Sequence, residues 1–209
     1  MTDIIDISPM ISEEIAVWPG DTPLRREVLC DISKGSNIDL STIHSTVHIG
    51  AHADAPRHYS ETGVTMEHVP LDPYIGTCFV QTVRGKQLIE AADCREAIAS
   101  GIKRLLFRTD SFPDPRHFNQ NFAAFSAESI EEMGSAGVIL VGIDTPSVDP
   151  FSSKSLPAHQ ALKKFNIANL EGIVLNGVPD GAYELIALPL KLKGFDASPV
   201  RAILRTLRP

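Results

Sequence analysis

A chain of 209 residues with 43% hydrophobic content is long enough to bury a full core without disulfides, and a single domain over 1–209 is expected. Its net charge of −7 disfavours nucleic acid or an anionic membrane as partner, and no apolar stretch approaches membrane-spanning length. Cys30, Cys78 and Cys94 are an odd number outside any C-x-x-C spacing, and the Met1–Asp6 start lacks the basic and apolar runs of a signal peptide, so reduced thiols in a cytoplasmic protein are expected.

The first distinctive segment is Val17-Trp18-Pro19-Gly20-Asp21-Thr22-Pro23, which reads as a turn. Its Trp18, the only tryptophan, has a plain reading as a loop anchor packed on the core. His44 reads as a partly exposed strand residue. Strands are expected at Cys78 to Val83, Arg104 to Arg108, Val138 to Ile143, Ile173 to Leu175 and Tyr183 to Pro189, where β-branched and apolar residues run together. Helices are fewer. Ala92 to Ser100 ends at Gly101; Ala127 to Ser135 follows Ser126, a good N-cap, with Glu128, Glu131 and Glu132 early; Ala158 to Phe165 is opened by Pro157. His68 and His117 lie in turn-rich sequence and read as surface groups. Asp144 follows an apolar strand and precedes Thr145-Pro146, where capping a loop is as good a reading as an active-site role. This strand-dominated mixture implies an α/β or α+β domain with a curved sheet.

One segment carries chemistry. His48-Ile49-Gly50-Ala51-His52-Ala53-Asp54-Ala55-Pro56-Arg57-His58 places three of the seven histidines and a carboxylate within eleven residues, a donor set for zinc, manganese or iron. Gly50 and Pro56 argue against a helix. In extended chain, positions 48, 52, 54 and 58 share one side, but at ~3.3 Å per residue His48 and His52 would stand roughly 13 Å apart, too far to share an ion. The chain must therefore bend, and Gly50 with the small Ala51, Ala53 and Ala55 permits it. His58 lies beyond the ligand stretch, and a histidine with a pKa near ~6.5 can move protons at neutral pH, so proton transfer is assigned to it. Outside the run, His159 and Glu171 could supply further ligands, although a helix-face histidine and a solvated glutamate are the plain alternatives.

The run resembles the H-x-G-T-H-x-D-x-P-x-H signature of the cyclase-like metal hydrolases, and most closely of the bacterial kynurenine formamidases. Ala51 stands where many relatives have Thr, which would remove a hydroxyl beside the site but no ligand. The Trp18 segment, Val141-Gly142-Ile143-Asp144-Thr145-Pro146-Ser147 and Asp196-Ala197-Ser198-Pro199-Val200-Arg201 resemble the same family in the same order. The resemblance implies a swivelling β/β/α fold with a barrel-like mixed sheet and peripheral helices, and a homodimer. It implies two zinc ions per subunit, with manganese or other divalent ions possible. His48, His52 and Asp54 would hold one ion; Asp54, His159 and Glu171 would hold the other, with Asp54 bridging. Trp18 would stack on the substrate's ring. The implied reaction is hydrolysis of N-formyl-L-kynurenine to kynurenine and formate by a metal-activated water, with His58 relaying the proton to the departing amine. A related hydrolase acting on another small cyclic or aryl amide, such as isatin, and a non-catalytic metal-binding domain remain the alternatives.

Overall fold

The computed structural model describes residues 3–207; Met1, Thr2, Arg208 and Pro209 of the domain expected over 1–209 lie outside it. The chain begins with β1 (Ile4–Asp6), then the hairpin of β2 (Arg25–Cys30) and β3 (Leu40–His44), then the short β4 (His52–Asp54). β5 (Ile75–Thr82), β6 (Leu88–Ile89), α1 (Arg95–Ala99), β7 (Arg104–Arg108) and β8 (Ala124–Phe125) follow. The second half holds α2 (Ala127–Ser135), β9 (Leu140–Ile143), α3 (Pro157–Phe165), β10 (Ala168–Leu170), β11 (Gly181–Ile186), β12 (Ala197–Pro199) and β13 (Ile203–Thr206).

Seven strands form one curled mixed sheet in the order β1-β13-β11-β5-β7-β9-β10. Pairing is antiparallel from β1 to β5 and parallel from β5 to β10. Side chains alternate between its faces. Leu105 and Phe107 of β7, with Val141 and Ile143 of β9, pack beneath α2 and α3 in one core. Leu106 and Leu140 point the other way, into a second core with Cys78 and Val80 of β5 and Ala51, Ala53 and Ala55. The curved mixed sheet with peripheral helices expected from the sequence is therefore present. α2 begins where expected, with the Ser126 side chain accepting from Ser129 N.

Two elements differ. Ile173–Leu175 is not a strand: Ile173 N donates to Ile143 O and Val174 N to Ile7 O, so successive residues bond different partners and no ladder forms. The edge strand is β10 instead, whose Ala168 and Asn169 carry little β propensity. The helix expected at Ala92 to Ser100 starts as a 3₁₀ turn (Ala91–Cys94), closed by reciprocal bonds of Glu90 and Asp93, and only Arg95–Ala99 is α-helical.

The metal-donor run lies across the second core, paired to β12 through His52↔Pro199 and Ala197↔Asp54. Its alanines are fully or almost fully buried in that core, Ala51 included, while His52 and Asp54 have the opposite parity. The expected bend is at Gly50, φ +58°. Just beyond it, His52 and Glu171 exchange both backbone hydrogen bonds, each at 3.0 Å. That approach requires glycine at 172: its φ is +65°, and a Cβ there would lie 2.3 Å from the Gly50 carbonyl oxygen. Gly172→Ala is expected to lower stability by more than about 2 kcal/mol, since positive-φ strain and a backbone clash add. Urea denaturation with an unchanged midpoint would show that the contact has slack.

Candidate metal centre

Five side chains from three segments converge on the space above β4. Asp54 Oδ1 lies 3.1 Å from His48 Nδ1 and 3.6 Å from His52 Nε2, and Glu171 Oε2 lies 3.3 Å from His52 Nε2. On the other side, His159 Nε2 is 3.5 Å from both Asp54 Oδ2 and Glu171 Oε1. Two ligands each about 2 Å from an ion at the tetrahedral angle stand about 3.3 Å apart, so all five separations fit shared coordination. Three of the donor atoms also lack other partners. His52 Nε2, His159 Nε2 and Asp54 Oδ1 are buried without a hydrogen bond, a costly state in a protein interior unless an ion completes it. Residues His48, His52, Asp54, His159 and Glu171 thus fit a divalent cation, with both carboxylates spanning two poles.

Each imidazole is oriented by a second contact, as metal-binding histidines usually are. His52 Nδ1–H donates to the Gly50 carbonyl at 3.0 Å, leaving Nε2 for the centre. His48 Nε2–H donates to Asp196 Oδ2 at 3.0 Å, leaving Nδ1. His159 Nδ1–H donates to Asp149 Oδ2 at 2.6 Å. Asp149 also accepts from the backbone N–H of Ala158 (2.9 Å) and His159 (3.0 Å), so one buried carboxylate caps α3 and aims its histidine. Asn169, fully buried, donates its amide to Asp54 Oδ2 at 2.7 Å and Glu171 Oε1 at 3.2 Å. Val148 N adds a second donor to Glu171 Oε1, at 2.9 Å.

Sequence reasoning missed Asp149, Asn169 and Asp196. Asn169 carried a usable signal, because it stands two residues before Glu171 on the same side of extended chain. Asp196 sat inside a recognised segment but was assigned no role. Asp149 had no local signal, since its partner lies ten residues on, in another element.

Burial alone would depress the His48 pKa, but the Asp54 and Asp196 carboxylates push it up to about 9. Burial likewise opposes protonation of His52 and His159, and the carboxylates around them outweigh it, raising both. Burial would raise Asp54 and Glu171, while the histidines hold both below the usual range. Without an ion the cluster therefore retains protons in its place.

The centre opens into a cavity of about 970 Å³ whose walls include Trp18, Phe112, Phe118, Leu156 and Phe195. Trp18 is half-buried, with ring centroids 5.0 Å from Phe151 and 5.4 Å from Phe118. It is thus both anchored and exposed to the cavity. His58 lies at the cavity edge with its ring 4.2 Å from that of His48 and Nδ1 3.4 Å from Asp196 Oδ2. A nitrogen of His58 also comes within 4.8 Å of donor atoms of His48 and Asp54. Asp144 caps a loop: it accepts from Thr109 N, Thr109 Oγ1 and Asp110 N at 2.8, 2.6 and 2.9 Å. His44 is exposed on β3 against Glu27, and His68 and His117 are exposed. All three cysteines are free; Cys78 and Cys94 are buried, which pushes each thiol up to about 12. No helix among the described residues is long and apolar enough to cross a membrane.

Residues 5–150 match the family model described as "Putative cyclase", and the chain belongs to this cyclase family. Solved structures share the whole architecture. A potential metal-dependent hydrolase with cyclase activity superposes with a TM-score of 0.85 at 27% identity over the full length of both chains. A predicted metal-dependent hydrolase from Bacillus stearothermophilus gives 0.84 at 26% identity, covering 99% of this chain and all of that one. Isatin hydrolase A from Labrenzia aggregata, bound to benzyl benzoate, shares the fold at 0.82 and 19% identity, covering 99% and 94%.

The raised histidines give a pH signature. A group whose pKa rises on folding stabilises the fold fully below its unfolded value, near ~6.5, and loses that contribution as pH rises through the folded value. Metal-stripped protein is expected to lose thermal stability between pH ~6.5 and about 9, the value reached by His48. Metal-loaded protein should not follow, because the ions replace the protons. Parallel melting curves with and without chelator check this; identical pH profiles would contradict it.

Proposed function

We propose that the chain is a metal-dependent amide hydrolase that removes the formyl group from N-formyl-L-kynurenine. The observation that carries this reading is the buried three-histidine, two-carboxylate cluster opening onto a cavity whose wall includes Trp18. His48, His52, Asp54 and Glu171 would hold one ion, and Asp54, His159 and Glu171 a second. Zinc suits the imidazole and carboxylate donors, and manganese is an alternative. Such ions, when bound, supply Lewis-acid polarisation of the formyl oxygen and a lowered pKa for a water beside it. Structures of the same fold described as a potential and a predicted metal-dependent hydrolase support this class of chemistry.

The chain's own residues do the rest. Asp149, Asp196 and the Gly50 carbonyl fix the three imidazoles, so the donor atoms need little rearrangement. With His58 Nδ1–H turned to Asp196 Oδ2, its Nε2 is free to accept the water proton. Once the water oxygen has bonded to the formyl carbon, the same nitrogen delivers that proton to the aryl amine as the C–N bond breaks, giving formate and the free aniline. An aniline nitrogen shares its lone pair with the ring, so a formanilide yields to attack more readily than an alkyl amide. Trp18, held by Phe118 and Phe151, offers a flat wall to that ring.

The fold shared with isatin hydrolases favours a second reading, ring opening of a cyclic aryl amide by the same machinery. Formate release from N-formylkynurenine, set against isatin opening by the same metal-loaded sample, decides between them. We also propose that the working form is a cytoplasmic homodimer; the exposed Val28, Leu29, Leu40 and Ile43 on the β2–β3 hairpin support an apolar contact between copies.

His58→Ala is expected to keep its metals and fold yet lose activity by roughly 10²- to 10⁴-fold. Metal content and steady-state rate on one sample check this, and loss of an ion together with activity would make His58 a ligand. Trp18→Ala should raise KM more than it lowers kcat, because a stacking wall binds ground and transition states alike. An unchanged KM with a lower Tm would reduce Trp18 to a core anchor.

A further inference from the structure

The turn that carries Trp18 also carries a carboxylate that the hydrolytic reading does not use. Asp21 N donates to Trp18 O at 2.9 Å, and Gly20, after Pro19, stands at φ +101°, so residues 18–21 close a type II turn. Trp18 and Asp21, at the two ends of this turn, both line the cavity. Thr46 ties the turn to the metal-donor run. Its N–H donates to Thr22 O at 3.0 Å, its hydroxyl to Asp21 Oδ2 at 3.3 Å, and the same hydroxyl accepts from His48 N at 3.3 Å. Asp21 therefore shares the turn and the cavity wall with Trp18 and lies one hydroxyl away from the His48 backbone.

Four aspartates line the cavity, and three are committed. Asp110 pairs with Arg84 and Arg108 at 2.5 and 2.8 Å, Asp144 holds the Thr109–Asp110 turn, and Asp196 holds His48 and His58. Asp21 has the long Thr46 contact and, among the described residues, no ion pair. An exposed carboxylate beside an aromatic wall is complementary to a cation carried a few bonds from a stacked aryl ring.

We propose that Asp21 determines specificity by binding the ammonium of an amino-acid side arm on the aryl amide. This rests on the aryl-formamide reading above. The ring lies on Trp18, the formamide faces the histidine cluster, and the side arm brings its ammonium to Asp21.

The test compares N-formyl-L-kynurenine with 4-(2-formamidophenyl)-4-oxobutanoate, which keeps ring, formamide and carboxylate but lacks the ammonium. In metal-loaded wild type the KM should be about fivefold lower for the ammonium substrate, the worth of a favourable exposed charge pair. Asp21→Asn should bring the ratio of the two KM values close to one, and Asp21→Glu should retain part of the preference. The wild-type preference should also shrink as ionic strength rises, a measurement that needs no variant. Equal KM values in wild type, or equal rises for both substrates in Asp21→Asn, would overturn the assignment and leave Asp21 a turn-holding residue. Cleavage of neither formamide by protein that opens isatin would instead overturn the formamide reading, and this assignment with it.

Discussion

Two buried carboxylates facing each other across three histidines set the terms for the rest of this molecule. Asp54 and Glu171 are almost completely sequestered, and ionised carboxylates taken out of water cost several kcal/mol each unless cations replace the lost hydration. The protein answers with His48, His52 and His159, and then with Asp196, Asp149 and the Gly50 carbonyl to hold those rings in place. What results is a compact charge cluster whose balance can be met by protons or by divalent ions. Protons satisfy it incompletely: His52 Nε2, His159 Nε2 and Asp54 Oδ1 remain without hydrogen bonds.

That cluster can exist only because the backbone beneath it is drawn unusually close. Straight extended chain would separate His48 and His52 by roughly 13 Å, yet the turn at Gly50 brings their rings to 5.1 Å. The alternating alanines let β4 settle on the sheet, so its polar side chains need not reach far. Glu171 arrives from β10, and its exchange of backbone bonds with His52 fixes the two donors in register. Sheet curvature, small side chains and Gly172 therefore act on the same quantity, the distance between β4 and the chain that follows β10.

Much of this was legible in the sequence because it is local. The donor run with its bend, the Ser126 cap of α2 and the Pro157 start of α3 each depend on neighbours a few residues away. The resemblance to a known family added His159 and Glu171, which physical reasoning alone left open; the structure brings them to the cluster. What could not be read was long-range. Ile173–Leu175 has the composition of a strand but bonds alternately to Ile143 and Ile7, whereas Ala168 and Asn169 look unlike a strand and become one by pairing with β9. Asp149 and Asp196 are single polar residues whose partners are brought to them by the fold, and no periodicity marks such residues.

The bridge between His52 and Glu171 also bears on how the protein is made. The first ligands leave the ribosome early, but the segment that completes the cluster follows only after β5, β7 and β9 have been synthesised. A nascent chain that ends before Glu171 holds the histidines of the opening run without the carboxylate that locks them in register. An ion held by all five side chains would therefore need the chain at least through Glu171. An ion that bound only the completed cluster would, by mass action, favour the native state over partly made ones.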